Sequence, residues 1–125
     1  SCFDLFLLEY IMRENLSIKD VCFVVKKSPL LNDVTMEDMK AIGALSIVPN
    51  VRWIELGDEV GDWPPDTAEF RQVIRGFDTV ISKGQANFEA LNTWGLGIFF
   101  MLTIKCETLS RYLKIPSGNP VLRKL

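Results

Sequence analysis

Histidine is absent from this sequence of 125 residues, and that absence narrows the chemistry before any motif is considered. Ser-His and Cys-His nucleophilic schemes, imidazole general bases and the commonest zinc ligand are excluded together. Acid–base or metal chemistry must rest on carboxylates, amides and lysines, which points to a hard cation with oxygen ligands if a metal is used. Cysteine is scarce. Cys2, Cys22 and Cys106 are widely spaced, sit in apolar contexts and form no Cys-x-x-Cys pair. An odd count of this kind fits reduced, buried thiols and a cytoplasmic location better than a disulfide framework. No apolar run reaches the roughly 20 residues of a spanning helix, so no membrane partner is expected. The longest, Leu96 to Ile104, has the size of a buried strand, and no signal peptide is visible. An excess of positive charge is also missing. A formal charge of −2 and a pI near 5.1 leave no electrostatic footprint for nucleic acid, so an anionic substrate would need a local basic spot.

What is present is an ordinary globular balance, 48% apolar and 24% charged, in a length that fits one α/β domain over residues 1–125. Phe3, Phe6, Leu7, Tyr10 and Ile11 recur at helical spacing. Val21 to Val25 is a continuous apolar run of strand length, and both its faces should be covered. Thr35 with Asp38 three residues on matches a capping box and predicts a helix from Met36 to Leu45 on Met39, Ile42 and Leu45. Val51 to Leu56 reads as the second strand. After Trp63-Pro64-Pro65, Asp66 can cap a helix whose buried stripe is Phe70, Val73, Ile74 and Phe77. Thr79 to Ser82 is the third strand, and its helix carries Phe88 and Leu91 inward. Ile98 to Leu102 is the fourth, followed by a helix from Cys106 to Leu113 on Leu109, Tyr112 and Leu113. The tail from Pro116 reads as irregular with a short edge strand.

Alternation of apolar strands with helices predicts a three-layer α/β/α fold with a mainly parallel, Rossmann-like sheet and right-handed crossovers. Ligands in such folds bind outside the carboxyl ends of the strands. Four polar clusters follow those ends and are expected on one edge. Asn32, Asp33 and Thr35 follow the first strand; Gly57 and Asp58 follow the second. Lys83, Gly84, Gln85 and Asn87 follow the third; Thr103 and Lys105 follow the fourth. Lys83-Gly84 leading into a helix reads either as an anion corner or as a solvated strand end with a turn glycine. Asn32-Asp33 reads either as a pair of oxygen ligands for a divalent cation or as a turn closed on its own backbone. Asp58, Glu59 and Asp62 read as loop charge or as a further metal or sugar-hydroxyl contact. Trp53, Trp63 and Trp94 stand apart from basic residues and read as packing rather than as a base-stacking platform.

Three stretches together resemble a known family. They are Asn32-Asp33-Val34-Thr35 with Asp38, Ile81-Ser82-Lys83-Gly84-Gln85-Ala86-Asn87-Phe88-Glu89-Ala90-Leu91, and Phe99-Phe100-Met101-Leu102 leading to Lys105-Cys106. The resemblance is to the metal-dependent damage-control phosphatases, in their stand-alone archaeal and bacterial branch, and runs from Phe3 to Leu122. It implies a phosphatase acting on sugar phosphates or damaged phosphometabolites with manganese, cobalt or nickel, magnesium being an alternative. It implies that Asp33 is a metal ligand, with Asn32 a weaker one, and that Lys83 binds the phosphate beside Gly84, Gln85 and Asn87. The family's Asp-Asn-Ala-Gly-Glu segment, which brings two further metal ligands, would precede Phe3-Asp4-Leu5, where this sequence opens. The 125 residues thus correspond to the C-terminal part of the family's fold, lacking its first strand and helical region. They are expected to be inactive alone and to leave a sheet edge open to self-association. The rival readings are a non-catalytic phosphate- or nucleotide-binding or interaction module, and a methyltransferase-like cofactor domain. No glycine-rich dinucleotide fingerprint follows any strand, which counts against the latter.

Overall fold

A computed structural model describes residues 2–14, 17–27, 34–43, 51–57 and 68–125, Cys2 and Phe3 by their main chain alone. These fall into two compact units, Ser1–Pro65 and Asp66–Leu125.

In the first unit, α1 (Cys2–Glu14) precedes β1 (Val21–Lys26), α2 (Met36–Ala41) and β2 (Val51–Leu56). The two strands pair in parallel, Val21 opposite Val51 through Lys26 opposite Leu56. That register sets Phe23 beside Trp53 on one face, with ring centroids 4.9 Å apart. Leu5, Val25 and Met39 form the buried centre, and Leu8, Met12 and Trp53 pack against it. The inward face of α1 is therefore Leu5, Leu8 and Met12, while Phe6 and Tyr10 are exposed. The sequence Phe3-Asp4-Leu5-Phe6-Leu7-Leu8 is apolar nearly all round the helix, so helical spacing fits either face and only contact chooses. In β1 only Val25 is fully buried, the other positions being half-covered. The predicted capping box is present: the Thr35 hydroxyl accepts from the Asp38 N–H at 3.2 Å, and the Asp38 carboxylate accepts from the Thr35 N–H at 2.9 Å. Helix α2 stops at Ala41, short of the predicted Leu45. Gly43, at φ +68°, takes the chain out of the helix, and Ile42 ends as an exposed cap.

The second unit runs α3 (Ala68–Arg75), β3 (Ile81–Lys83), α4 (Gln85–Leu91), β4 (Phe99–Thr103), α5 (Glu107–Leu113) and β5 (Pro120–Lys124). Its strands stand in the order β3-β4-β5. β3 is parallel to β4, with Ile81 opposite Phe99, and β5 is antiparallel to it. The third strand begins two residues later than predicted because its ladder starts where the Val80 carbonyl accepts from the Phe99 N–H at 2.8 Å. The fourth runs on to Thr103, since the tail folds back to pair Pro120 with that residue. Along β4 the even positions Ile98, Phe100, Leu102 and Ile104 are buried, the period of two that a strand imposes. Phe88 meets Phe100 edge to face at 5.1 Å, joining α4 to the sheet. Phe70 and Ile74 are the buried residues of α3, which Gly76 closes by donating to the Gln72 and Val73 carbonyls. On α5 the buried pair is Leu109 and Leu113, and Tyr112 is exposed rather than inward. No described helix is long and apolar enough to cross a membrane.

Candidate functional site

The carboxyl ends of β3 and β4 carry the third and fourth polar clusters, and the structure brings these two together. Lys83 is the last residue of β3, opposite Met101, and its side chain is exposed. Gly84 follows at φ +100°, ψ 154°, a conformation essentially restricted to glycine, and its N–H donates to the Met101 carbonyl at 2.9 Å. The main-chain donor of Gly84 is thus part of the ladder rather than an anion contact. The Gln85 carbonyl oxygen accepts from the Lys105 N–H at 3.0 Å, and its amide nitrogen donates to the Glu89 carboxylate at 2.8 Å and to the Cys106 Sγ at 3.1 Å. Asn87 donates from its side-chain nitrogen to the Lys83 carbonyl at 2.8 Å. At the far end of α4, Asn92 reaches back to the Phe88 and Glu89 carbonyls, satisfying acceptors that the helix end would otherwise leave open. The corner is therefore held at both ends of its helix. Thr103 and Lys105 are exposed at the end of β4.

In the first unit the carboxyl ends of β1 and β2 are tied by the Lys27 N–H donating to the Leu56 carbonyl at 3.0 Å. Gly57 follows β2 at φ +110°. Thr35 serves as the cap of α2. Asn32, Asp33, Asp58, Glu59, Asp62, Trp63 and Asp66 lie outside the described residues. Among the described residues no three His, Cys, Asp or Glu side chains converge as a metal site would require. The two sequence-predicted ligands, Asp33 and Asn32, lie beyond the described residues. An ion pair among the described residues lies at the opposite, amino end of the strands. There the Arg52 guanidinium donates to both oxygens of Asp20, at 3.0 and 2.6 Å. The hydrogen bond from Arg52 holds the Asp20 carboxyl below its ordinary range, and both side chains are more than half exposed. Cys22 stands opposite Arg52 in the register, and burial pushes its thiol up, in keeping with an inert packing cysteine.

Two arrangements had no signal in the one-dimensional pattern. The Gln85 bridge to Lys105 and Cys106 joins residues about 20 positions apart, which no local motif encodes. The Arg71 guanidinium lies 4.2 Å from the Trp94 ring centroid, a cation–π pair whose partners sit on α3 and beyond α4.

The sequence model for the damage-control phosphatase ARMT1-like domain matches residues 1–121. The chain belongs to this family. It is 34% identical over 119 residues to the damage-control phosphatase PH1575 of Pyrococcus horikoshii, an alignment covering 93% of this chain and 40% of that protein. It is 30% identical over 124 residues to a damage-control phosphatase of Archaeoglobus fulgidus, covering 97% and 41%. Among solved structures it resembles the crystal structure of a DUF89 family protein from Pyrococcus horikoshii, with a TM-score of 0.79 and 35% identity. That superposition takes in 98% of this chain and 42% of the other. The chain thus spans about two fifths of the length of the relatives it matches. Membership of the family agrees with the resemblance read from the Lys83–Leu91 corner, and the mixed α/β structure with parallel pairing agrees with the expected fold class.

Proposed function

We propose that the protein carrying this chain is a metal-dependent phosphatase that hydrolyses small phosphomonoesters, sugar phosphates or damaged phosphometabolites. The observation that carries the reading is the position of Lys83 in a chain of this family. It closes a parallel strand at the edge where α/β folds take ligands, on a glycine turn anchored to the neighbouring strand. In this reading Lys83 supplies the cation that offsets the phosphoryl charge, and Gly84, Gln85 and Asn87 shape the corner that presents it. Asp33, with Asn32 beside it, supplies hard oxygen donors for manganese, cobalt or nickel. When bound, such an ion contributes charge neutralisation and Lewis acidity toward a phosphoryl oxygen. The partner is a small phosphorylated metabolite, in a protein of the cytoplasm.

Hydrolysis of p-nitrophenyl phosphate by the full-length protein, with manganese, cobalt or nickel, tests this. Activity should depend on the added cation and fall by about 10²-fold or more in both Asp33→Asn and Lys83→Ala, the scale seen when one electrostatic contact to a transition state is removed. Metal-independent background alone would leave a non-catalytic phosphate-binding module as the better account, and two fully active variants would overturn the roles given to Asp33 and Lys83.

A further inference from the structure

We infer that Gln85 is a positioning residue, a clamp between two neighbouring strand–helix corners, and that its side chain does not contact phosphate. A primary amide offers two N–H donors and one carbonyl acceptor with two lone pairs. Here both donors are engaged, one with the Glu89 carboxylate at 2.8 Å and one with the Cys106 Sγ at 3.1 Å. The carbonyl oxygen accepts from the Lys105 N–H at 3.0 Å, and its remaining lone pair would repel an anion. A phosphate contact through this side chain would cost at least one of those bonds. The same three bonds do something else well. Gly84 grips β4 at Met101 through its own N–H, and Gln85 grips the chain again at Lys105, beyond the strand end. Asn87 holds the Lys83 carbonyl from the next turn at 2.8 Å. The main chain of Lys83 is fixed between these three ties. A lysine stem is flexible, so where its ammonium can reach is set by where its Cα is held. Cys106 and Lys105 thereby acquire a role: they are the far anchor of the corner that carries Lys83.

The inference rests on the phosphatase reading for its kinetic arm only. Three variants of the full-length protein test it: Gln85→Met, Gln85→Glu, and the exchange Gln85→Glu/Glu89→Gln. Met keeps the length and removes every bond. The Lys105 amide should then exchange its hydrogen about fivefold faster, the worth of one net hydrogen bond, while the amides of Phe100 and Leu102 keep their protection and show that the fold persists. Gln85→Glu loses both donors and faces the Glu89 carboxylate, so kcat should fall by about 10- to 100-fold with KM moving far less. The exchange variant restores the 85–89 pair with donor and acceptor reversed, and kcat should return to within about threefold of the parent. Inhibition by inorganic phosphate should stay within about threefold of the parent in the exchange variant. A carboxylate placed against bound phosphate would weaken that inhibition whatever residue 89 is. An inhibition constant raised about tenfold or more in both Glu variants therefore overturns the clamp in favour of a direct contact. Unchanged exchange at Lys105 in Gln85→Met also overturns it. Should the parent hydrolyse no phosphomonoester, the phosphatase reading falls, and the exchange measurement alone decides the clamp.

Discussion

At the scale of single residues, the most legible feature is the capping box of α2. Thr35 and Asp38 stand three apart at a predicted helix start, and each satisfies the other's main-chain N–H. The Thr35 N–H and then its hydroxyl hold the Asp38 carboxyl below its ordinary range. A depressed carboxylate stabilises the fold above the pKa it has when unfolded, about 4, and that contribution is lost as pH falls through the lower folded value. Urea unfolding midpoints of the parent and of Asp38→Asn should therefore differ at pH 7, the parent being more stable, and converge as pH falls through the folded value. Thr35→Ala should cost about 1 kcal/mol at neutral pH, as loss of a helix cap does. By contrast, the roles of Gln85 and Asn87 could not be read residue by residue. Their amides are chemically suited to an anion and equally to a backbone, and only the carbonyl and N–H groups that surround them decide.

At the scale of elements, boundaries moved where a neighbour or a glycine intervened. Helix α2 ended early, before Gly43, and β4 shifted one residue toward Thr103, where β5 pairs with it as far as Pro120. The inward face of α1 differed from the expected one because that helix carries apolar residues on more than one face. The turn between β3 and α4 was legible as a glycine turn, and the structure adds why no other residue serves. A Cβ at Gly84 would meet nothing within 4 Å, so space is not the restriction; the backbone conformation is. Gly84→Ala should accordingly destabilise the second unit by about 1–3 kcal/mol with no steric clash to relieve, measurable by denaturant unfolding. A loss near zero would mean that the corner can relax to a negative φ and that its tie to Met101 is not obligatory.

At the scale of the whole molecule, the family assignment rests on a match over residues 1–121, and the proposed function rests on that assignment together with the Lys83 corner. A cation that binds the folded protein alone raises its melting temperature by mass action, by about 2.7 kcal/mol of stability at a hundredfold excess over its dissociation constant. Manganese, cobalt or nickel should stabilise the full-length protein in a thermal unfolding scan, and Asp33→Asn should lose most of that gain. An equal shift in both proteins would place the cation elsewhere. The sequence by itself determined the order of the described helices and strands, the absence of imidazole chemistry, the capping box and the Lys83-Gly84 corner, because these depend on local periodicity, composition and backbone freedom. Tertiary structure alone decided which face of α1 is buried, that the tail becomes an antiparallel strand on β4, and that Gln85 binds Lys105 and Cys106. Each of these depends on what lies across space, where an apolar face or an amide with several available partners takes the one that packing places nearest.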